Sequence, residues 1–202
     1  MTTAVLVVGA YLIGSIPFGI IVGRMQGFDP RTVGSGNIGM TNVVRAGGAS
    51  AAALTFVGDV LKGTIPVAIA RLMGYPPEIL AWVGLGAFVG AIASVFLGFA
   101  GGKGISAALG VWLVLAPIPV LLALAAFGIT VAATRIVSLG SIVAAIVLVP
   151  AAAALAPERA YILLAIVMSA LVLIRHHENI RRLVAGEEKR FAVRKSKAAK
   201  TG

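Results

Sequence analysis

The sequence predicts an all-α, polytopic integral membrane protein with about seven transmembrane helices, its N-terminus outside and its C-terminus cytoplasmic. Three observations support this prediction. The 202 residues are 59% hydrophobic with a mean hydropathy of +1.04, whereas soluble domains are about 45–50% apolar. Uncharged apolar runs over 105–134 and 136–156 are long enough to cross a bilayer. The basic residues are divided unevenly between the loops of the two sides.

Seven apolar segments make up the predicted bundle. No positively charged region precedes the first, and it is long enough to span, so we interpret it as a span and not a cleavable signal. The fourth and fifth segments meet at Pro117 and Pro119, and two prolines so close favour a turn. The alternative is one kinked span, which would leave an even number of crossings and place the tail on the other side. The segments are 3–23, 51–73, 79–98, 104–116, 118–134, 137–156 and 159–174.

The charge distribution supports the odd number of spans. With the N-terminus outside, all but three of the 17 basic residues fall on the inner side, as the positive-inside rule requires. The exceptions are Arg71 and Arg159 on the outer side and Lys62 inside a span. We therefore divide the chain into a transmembrane domain over 1–183 and a basic cytoplasmic tail over 184–202.

Composition also excludes several classes of function. The net charge of +10 lies mainly in short loops and the tail, which indicates contact with anionic lipid and not with nucleic acid. The chain has no cysteine, so a disulfide framework, a thiolate nucleophile and a Cys-based metal site are all excluded.

The loop over 34–45 is the first candidate site. Gly34 and Gly36 allow backbone N–H groups to converge on an anion, and Arg45 offers a bidentate donor suited to phosphate. The segment lacks the GxxxxGK[ST] pattern of a P-loop, and an ordinary interfacial loop rich in turn residues is the alternative. The neutral hydrogen-bonding side chains of this loop are Ser35, Asn37, Thr41 and Asn42.

Two further polar segments are candidate sites, and the first of them lies between two apolar segments. Gly101, Gly102 and Gly104 surround Lys103, and a glycine-rich turn that enters a helix presents free N–H groups to an anion. A flexible turn with an inside-positive lysine is the alternative.

The second of these segments follows the last span. Its His176 and Asn179 are three residues apart and share a helical face, so His176 is a candidate base or an ordinary interfacial side chain. The adjacent His176 and His177 do not share a face, so we expect no two-histidine metal site here.

An ionisable pair lies within the second apolar segment. Asp59 and Lys62 are three residues apart, a spacing that allows them to pair. Ionisable groups inside a membrane are costly and usually functional, but a structural ion pair that stiffens the bundle is an equal alternative.

Taken in order, five short segments of the chain resemble the bacterial PlsY family, the membrane-embedded acyl-phosphate:glycerol-3-phosphate acyltransferases. The resemblance covers nearly the whole chain up to the tail. The segments are 14–19, 34–45, 58–63, 95–99 with 101–104, and 176–183. The chain departs from the family pattern at Ala91, where the family usually has His, at Ser94 in place of Pro, at Ala100, often basic, and at His177, often Arg.

The resemblance implies an enzyme of the bacterial plasma membrane with seven helices and a cytoplasmic active site. It implies transfer of a fatty acyl group from acyl phosphate to the 1-hydroxyl of glycerol 3-phosphate, giving lysophosphatidic acid. We expect no cofactor, no metal, membrane lipid as a partner, and a monomer.

We assign site residues from the motifs and from the anion-binding chemistry of the segments. The expected catalytic residues are Ser35, Asn37, His176 and Asn179. The expected substrate-binding residues are Gly34, Gly36, Thr41, Asn42, Arg45, Gly101, Gly102, Lys103 and Gly104. We expect direct attack of the glycerol hydroxyl on the acyl carbonyl in preference to an acyl-Ser35 intermediate, because no Ser–His–Asp signature is evident.

Two other functions stay open from the sequence. Asp59 and Lys62 inside a span would also suit a small-solute transporter. Ala91 in place of the family histidine would suit a non-catalytic, lipid-binding relative.

Overall fold

The computed structural model describes residues 2–156 and 158–190, and these form helices and turns without a strand. Two short 3-10 turns, Pro30–Thr32 and Val95–Leu97, lie between helices. The helices in chain order are α1 (Thr3–Gly14), α2 (Phe18–Met25), α3 (Met40–Leu72), α4 (Pro77–Ile92), α5 (Ile105–Leu115), α6 (Pro117–Thr134), α7 (Val137–Leu155), α8 (Arg159–Arg175) and α9 (His177–Val184).

Five spans in the described residues are long and apolar enough to cross a membrane, and α8 with α9 makes a sixth if this bent pair is one span. The first of the five, Thr3–Met25, comprises α1 and α2. Outside these spans, helix α5 is also apolar, but its eleven residues extend only about 16 Å, roughly half of a hydrocarbon core. The fourth predicted segment is therefore present as a helix but is too short to count as a full span.

Contacts at one end of the bundle, here called the site end, fix the direction of the central helices. Lys103 lies two residues before α5, Ser138 lies in the first turn of α7, and Asn179 lies in α9. Lys103 donates to Asn179, and Glu188 accepts hydrogen bonds from Ser138 and Asn179. Since α5 starts and α6 ends at this end, the two helices run in opposite directions. The predicted proline turn between them is confirmed, with extended Ala116 as its corner.

The first span is broken at Pro17, which has no N–H to continue the helical bonding. The break leaves carbonyl groups just after α1 without helical partners, and other elements supply donors to them. Ser94 Oγ donates to the Ser15 carbonyl (2.5 Å), and Lys62 Nζ donates to the Ile16 carbonyl (3.1 Å). Lys62 also pairs with Asp59 at 2.6 Å. The ion pair thus ties α3 to the break in the first span, and both of its residues also line the cavity described below.

Helix α3 is bent at Gly48, whose φ of +82° is in the left-handed region. The residues before the bend belong to the polar loop, which is why the apolar pattern of this helix begins only near residue 51. Beyond the bend, small residues let α3 and α5 touch closely. A Cβ on Gly63 would lie 2.1 Å from the Ala107 carbonyl oxygen, so glycine is required at this crossing.

Candidate active site

A cavity of about 600 Å³ opens between the 34–45 loop, the 101–104 turn and helices α3 and α5 to α9. Its mouth is polar and its inner arm is apolar. The polar wall includes Ser35, Asn37, Thr41, Asn42, Arg45, Lys103, Ser138, Ser141, His176, Asn179, Arg182 and Glu188. The apolar wall includes Phe56, Leu109, Trp112, Val120, Leu124, Phe127, Leu148, Met168 and Val172.

Asn42 shapes the 34–45 loop. Its side chain is 2% exposed, and its amide donates to the carbonyls of Pro30, Val33 and Asn37 at 2.7–2.9 Å. Its Oδ1 accepts the Ser35 N–H at 3.0 Å. One buried amide therefore closes the loop on itself and presents Ser35 at an exposed position on the cavity wall. Asn42 remains a predicted substrate-binding residue, but its polar atoms are occupied by these loop contacts.

Arg45 lies one helical turn after Thr41, and both line the cavity. Its side chain packs beside Gly34. The described residues offer Arg45 no carboxylate within ion-pair distance, so its guanidinium is available to a ligand anion.

The 101–104 turn is held by its backbone from two sides. The Gly102 N–H donates to the Ala91 carbonyl at 3.0 Å. Arg175 donates through Nη2 to the Gly101 carbonyl (2.7 Å) and through Nε to the Gly102 carbonyl (3.2 Å). Position 91, where this chain lacks the family histidine, thus supports the turn through its main chain, and that contact needs no particular side chain.

Lys103 is carried into the cavity by this turn, and its ammonium donates to Asn179 Oδ1. Burial lowers the pKa of Lys103 to about 8, and the nearby Glu188 carboxylate opposes that shift. The lysine is therefore mostly charged at neutral pH and loses its charge as the pH rises through 8.

His176 follows the last residue of α8 and is 2% exposed. In the tautomer that fits its surroundings, Nδ1–H donates to the Val172 carbonyl at 2.8 Å, which leaves Nε2 as an acceptor. Burial, followed by the charge of Lys103, lowers the pKa of His176 to about 4. The imidazole is therefore neutral at pH 7 and its Nε2 lone pair is free for a proton.

Glu188 was not expected at the site, yet its carboxylate lies among the polar groups of the mouth. Oε1 accepts from Ser138 Oγ and Asn179 Nδ2, and Oε2 accepts from Arg182 Nε, each at 2.6 Å. Burial alone would raise the pKa of Glu188, but the hydrogen bonds from Ser138, Arg182 and Asn179 outweigh it and hold the pKa below its usual value.

The structure brings most of the expected residues together. Gly34, Ser35, Asn37, Thr41, Asn42, Arg45, Gly102, Lys103, Gly104, His176 and Asn179 all line one cavity. Gly36 and Gly101 do not line it but belong to the same loop and turn. Sequence reasoning missed Ser138 and Glu188, which no motif marks and which only the folded chain brings to Asn179. It also assigned no role to Arg182, although this residue lies within the 176–183 segment. Of the predicted 184–202 tail, Glu188 and Lys189 line the cavity, and 191–202 lie outside the described residues.

Comparison with known proteins gives a consistent assignment. The family described as glycerol-3-phosphate acyltransferase matches residues 4–186. A glycerol-3-phosphate acyltransferase of Trichlorobacter lovleyi is 50% identical over 92% of this chain and 95% of its own length. That of Geobacter sulfurreducens is 47% identical over 90% and 94%, respectively.

Two solved structures have the same fold. A crystal structure of PlsY, an integral membrane glycerol 3-phosphate acyltransferase, in its glycerol 3-phosphate form superposes with a TM-score of 0.90 at 40% identity, covering 94% of this chain and 96% of that one. The lysophosphatidic acid form gives a TM-score of 0.88 at 39% identity, covering 95% and 96%. On the family match, the sequence identity and the shared fold, this chain belongs to the glycerol-3-phosphate acyltransferase family of integral membrane enzymes.

Proposed function

We propose that this enzyme transfers a fatty acyl group from acyl phosphate to the 1-hydroxyl of glycerol 3-phosphate, giving lysophosphatidic acid and inorganic phosphate. One observation carries the proposal: a single cavity joins a mouth with Arg45 and Lys103 to an apolar arm that reaches Trp112 and Leu148. Such a cavity suits one reactant with both a phosphate and a long chain, together with a second that carries phosphate alone.

Binding of the phosphates is assigned to the cationic groups and the loop amides. Arg45 suits phosphate as a bidentate donor, and Lys103 acts as a point charge. The N–H groups of the 34–45 loop and the 101–104 turn complete the anion site and stabilise charge that develops on the acyl carbonyl. Thr41 and the glycines of both segments allow close approach of the substrates.

The chemical step is a direct displacement. The 1-hydroxyl oxygen of glycerol 3-phosphate bonds to the acyl carbon, and the bond from that carbon to the phosphate oxygen breaks. Ser35, Asn37 and Asn179 orient the reactants. The hydroxyl proton has two acceptors, Nε2 of neutral His176 and the departing phosphate. Because acyl phosphate is already activated, the route requires no cofactor.

The direction of the helices and the distribution of charge support a membrane arrangement for the proposed enzyme. We propose seven passes, with α5 as the shortest, the N-terminus outside, and the site end facing the cytoplasm, where most of the basic residues then lie. The bundle contains the whole site, which is consistent with a monomer in the bacterial plasma membrane in contact with its lipid.

The test is a comparison of donors. Purified protein in detergent or nanodiscs is supplied with glycerol 3-phosphate and either palmitoyl phosphate or palmitoyl-CoA, and lysophosphatidic acid is measured. We expect product with palmitoyl phosphate alone; turnover with palmitoyl-CoA, or none with either donor, would refute the proposal. Lys103→Ala should lose activity, whereas Arg159→Ala, which removes an exposed cation from the opposite end of α8, should keep it.

A further inference from the structure

A carboxylate in the mouth of a phosphate-binding cavity is unfavourable unless it has a specific task. Glu188 is there, with a side chain 9% exposed and all three of its hydrogen bonds made to donors inside the protein. It lines the same wall as Lys103 and His176. Its negative charge would repel an entering phosphate, so the presence of a carboxylate at this place needs a physical reason.

The local chain is built to bring Glu188 back to the site. Helix α9 ends at Val184, and Gly186 follows with a φ of +73°, a conformation that glycine adopts at helix C-termini. The Gly186 N–H donates to the Leu183 carbonyl and the Glu187 N–H to the Arg182 carbonyl. This C-cap reverses the chain, so that Glu188 faces Asn179 of the helix it has just left.

The network determines the orientation of the Asn179 amide. A lysine ammonium only donates hydrogen bonds, and an ionised carboxylate only accepts them. Asn179 must therefore present Oδ1 to Lys103 and Nδ2 to Glu188, as the structure has it. Without an acceptor at Glu188, Nδ2 loses the partner that holds it, and the amide is free to turn its donor towards the lysine.

We propose that Glu188 is a positioning residue for acyl transfer, which fixes the Asn179 amide and keeps the Lys103 ammonium charged in the substrate cavity. The assignment of Lys103 to phosphate binding rests on the proposed function. The orientation of the Asn179 amide stands on its two hydrogen bonds, and the charge effect stands on the proximity of Glu188 and Lys103, which bond the two ends of that one amide. Glu188 acts through Asn179 and Lys103 and touches no reacting atom.

The charge state of Lys103 depends on the charged groups around it. The groups that act on it electrostatically are Glu188, Arg182 and Glu178 from α9 and the segment after it, Arg175 at the end of α8, and its neighbour His176. The acidic groups favour the ammonium, whereas burial and the arginines oppose it. Of the two carboxylates, Glu188 has the stronger effect and is the buried one.

The decisive measurement is the pH dependence of activity in Glu188→Gln, in particular the fall in activity on the alkaline side, here called the alkaline limb. Glutamine keeps an acceptor for Asn179 but removes the negative charge, so the limb should move down by about one pH unit, the effect of a close opposite charge. Glu187→Gln is the matched control: the same change one residue earlier, on an exposed side chain, should leave the limb in place. A Glu188→Gln limb at the wild-type pH, with activity lowered equally at every pH, would show a merely structural role and overturn the proposal.

Two further variants extend the test, and the first of them keeps the proposal open to refutation if Glu188→Gln does not fold. Glu188→Asp keeps the charge but withdraws the carboxylate by one methylene, so turnover should fall by up to about 10²-fold while the limb stays in place; wild-type turnover would contradict the positioning role. When Glu188→Gln is added to Lys103→Arg, the pH dependence of activity should show no such downward shift, because arginine stays charged.

A readout independent of turnover separates this proposal from the proposed function. The titration of Lys103 can be followed by NMR after ¹³C-methylation of the lysines and assigned by its loss in Lys103→Arg. Glu188→Gln should lower that midpoint and Glu187→Gln should not, whatever substrate the enzyme uses. An unchanged midpoint refutes the role of Glu188, whereas a shifted midpoint in a protein without acyltransferase activity refutes only the proposed function.

Discussion

Replacing Lys103 with alanine should lower turnover by about 10²–10³-fold, the cost of removing one preorganised electrostatic contact to a charged transition state. The structure also gives the pH at which the wild-type enzyme should lose the same contact. With a pKa of about 8, roughly nine-tenths of Lys103 is charged at pH 7 and roughly one-tenth at pH 9. Because burial places this pKa below the usual value, the contact is present below pH 8 and lost above it.

The assay is a pH series of kcat/KM with palmitoyl phosphate and glycerol 3-phosphate. We expect activity to fall on the alkaline side with a midpoint near pH 8, and Lys103→Arg, whatever its absolute rate, to lack that midpoint because arginine does not titrate there. Full activity of Lys103→Ala, or the same midpoint in Lys103→Arg, would refute the assignment of Lys103 to the reacting phosphate.

Three further predictions concern the rest of the mouth. Arg45→Ala should raise KM for the phosphorylated substrates more than tenfold with a folded protein, since its guanidinium has no carboxylate partner in the described residues; an unchanged KM would remove Arg45 from the site. Arg175→Ala should lower kcat, because the carbonyls of Gly101 and Gly102 lose their donors, and Arg175→Lys should restore only part of it, which steady-state kinetics can measure. Asn42→Ala should lower the free energy of unfolding by about 1–3 kcal/mol for the carbonyls left unpaired in a buried loop, read as a drop in Tm; a Tm equal to that of the wild type would contradict this account of the loop.

Much of the fold could be predicted from sequence, because a bilayer imposes a strong pattern. The apolar runs and the proline pair at Pro117 and Pro119 gave the order of the helices and the turn between α5 and α6. The number of membrane spans was harder to predict from the sequence. Hydropathy marked residues 104–116 as a segment like the others, whereas α5 is only eleven residues long. It begins after the glycine turn at Gly104 and ends at the Ala116 corner before Pro117.

The candidate site could be predicted where its residues lie in local motifs. The 34–45 loop, the 101–104 turn and His176 with Asn179 each carry recognisable chemistry, and all three meet in one cavity. Glu188 and Ser138 could not be identified in this way. Each is an ordinary residue in its own stretch of sequence, and they meet only because a C-cap at Gly186 turns the chain back to the start of α7.

The shortness of α5 has a consequence for the route of the substrates. Gly63 of α3 closely approaches Ala107 of α5, and Asp59 lines the same cavity as Lys103, so the polar lining reaches about 16 Å along α3 from its bend at Gly48. The polar lining of the cavity therefore extends into the helical part of the bundle, well beyond the 34–45 loop. Under the proposed function, a lipid-borne donor presents its head group there while its hydrocarbon occupies the apolar arm, and the water-soluble acceptor enters through the polar mouth. One cavity then brings together a reactant from the lipid and a reactant from the water.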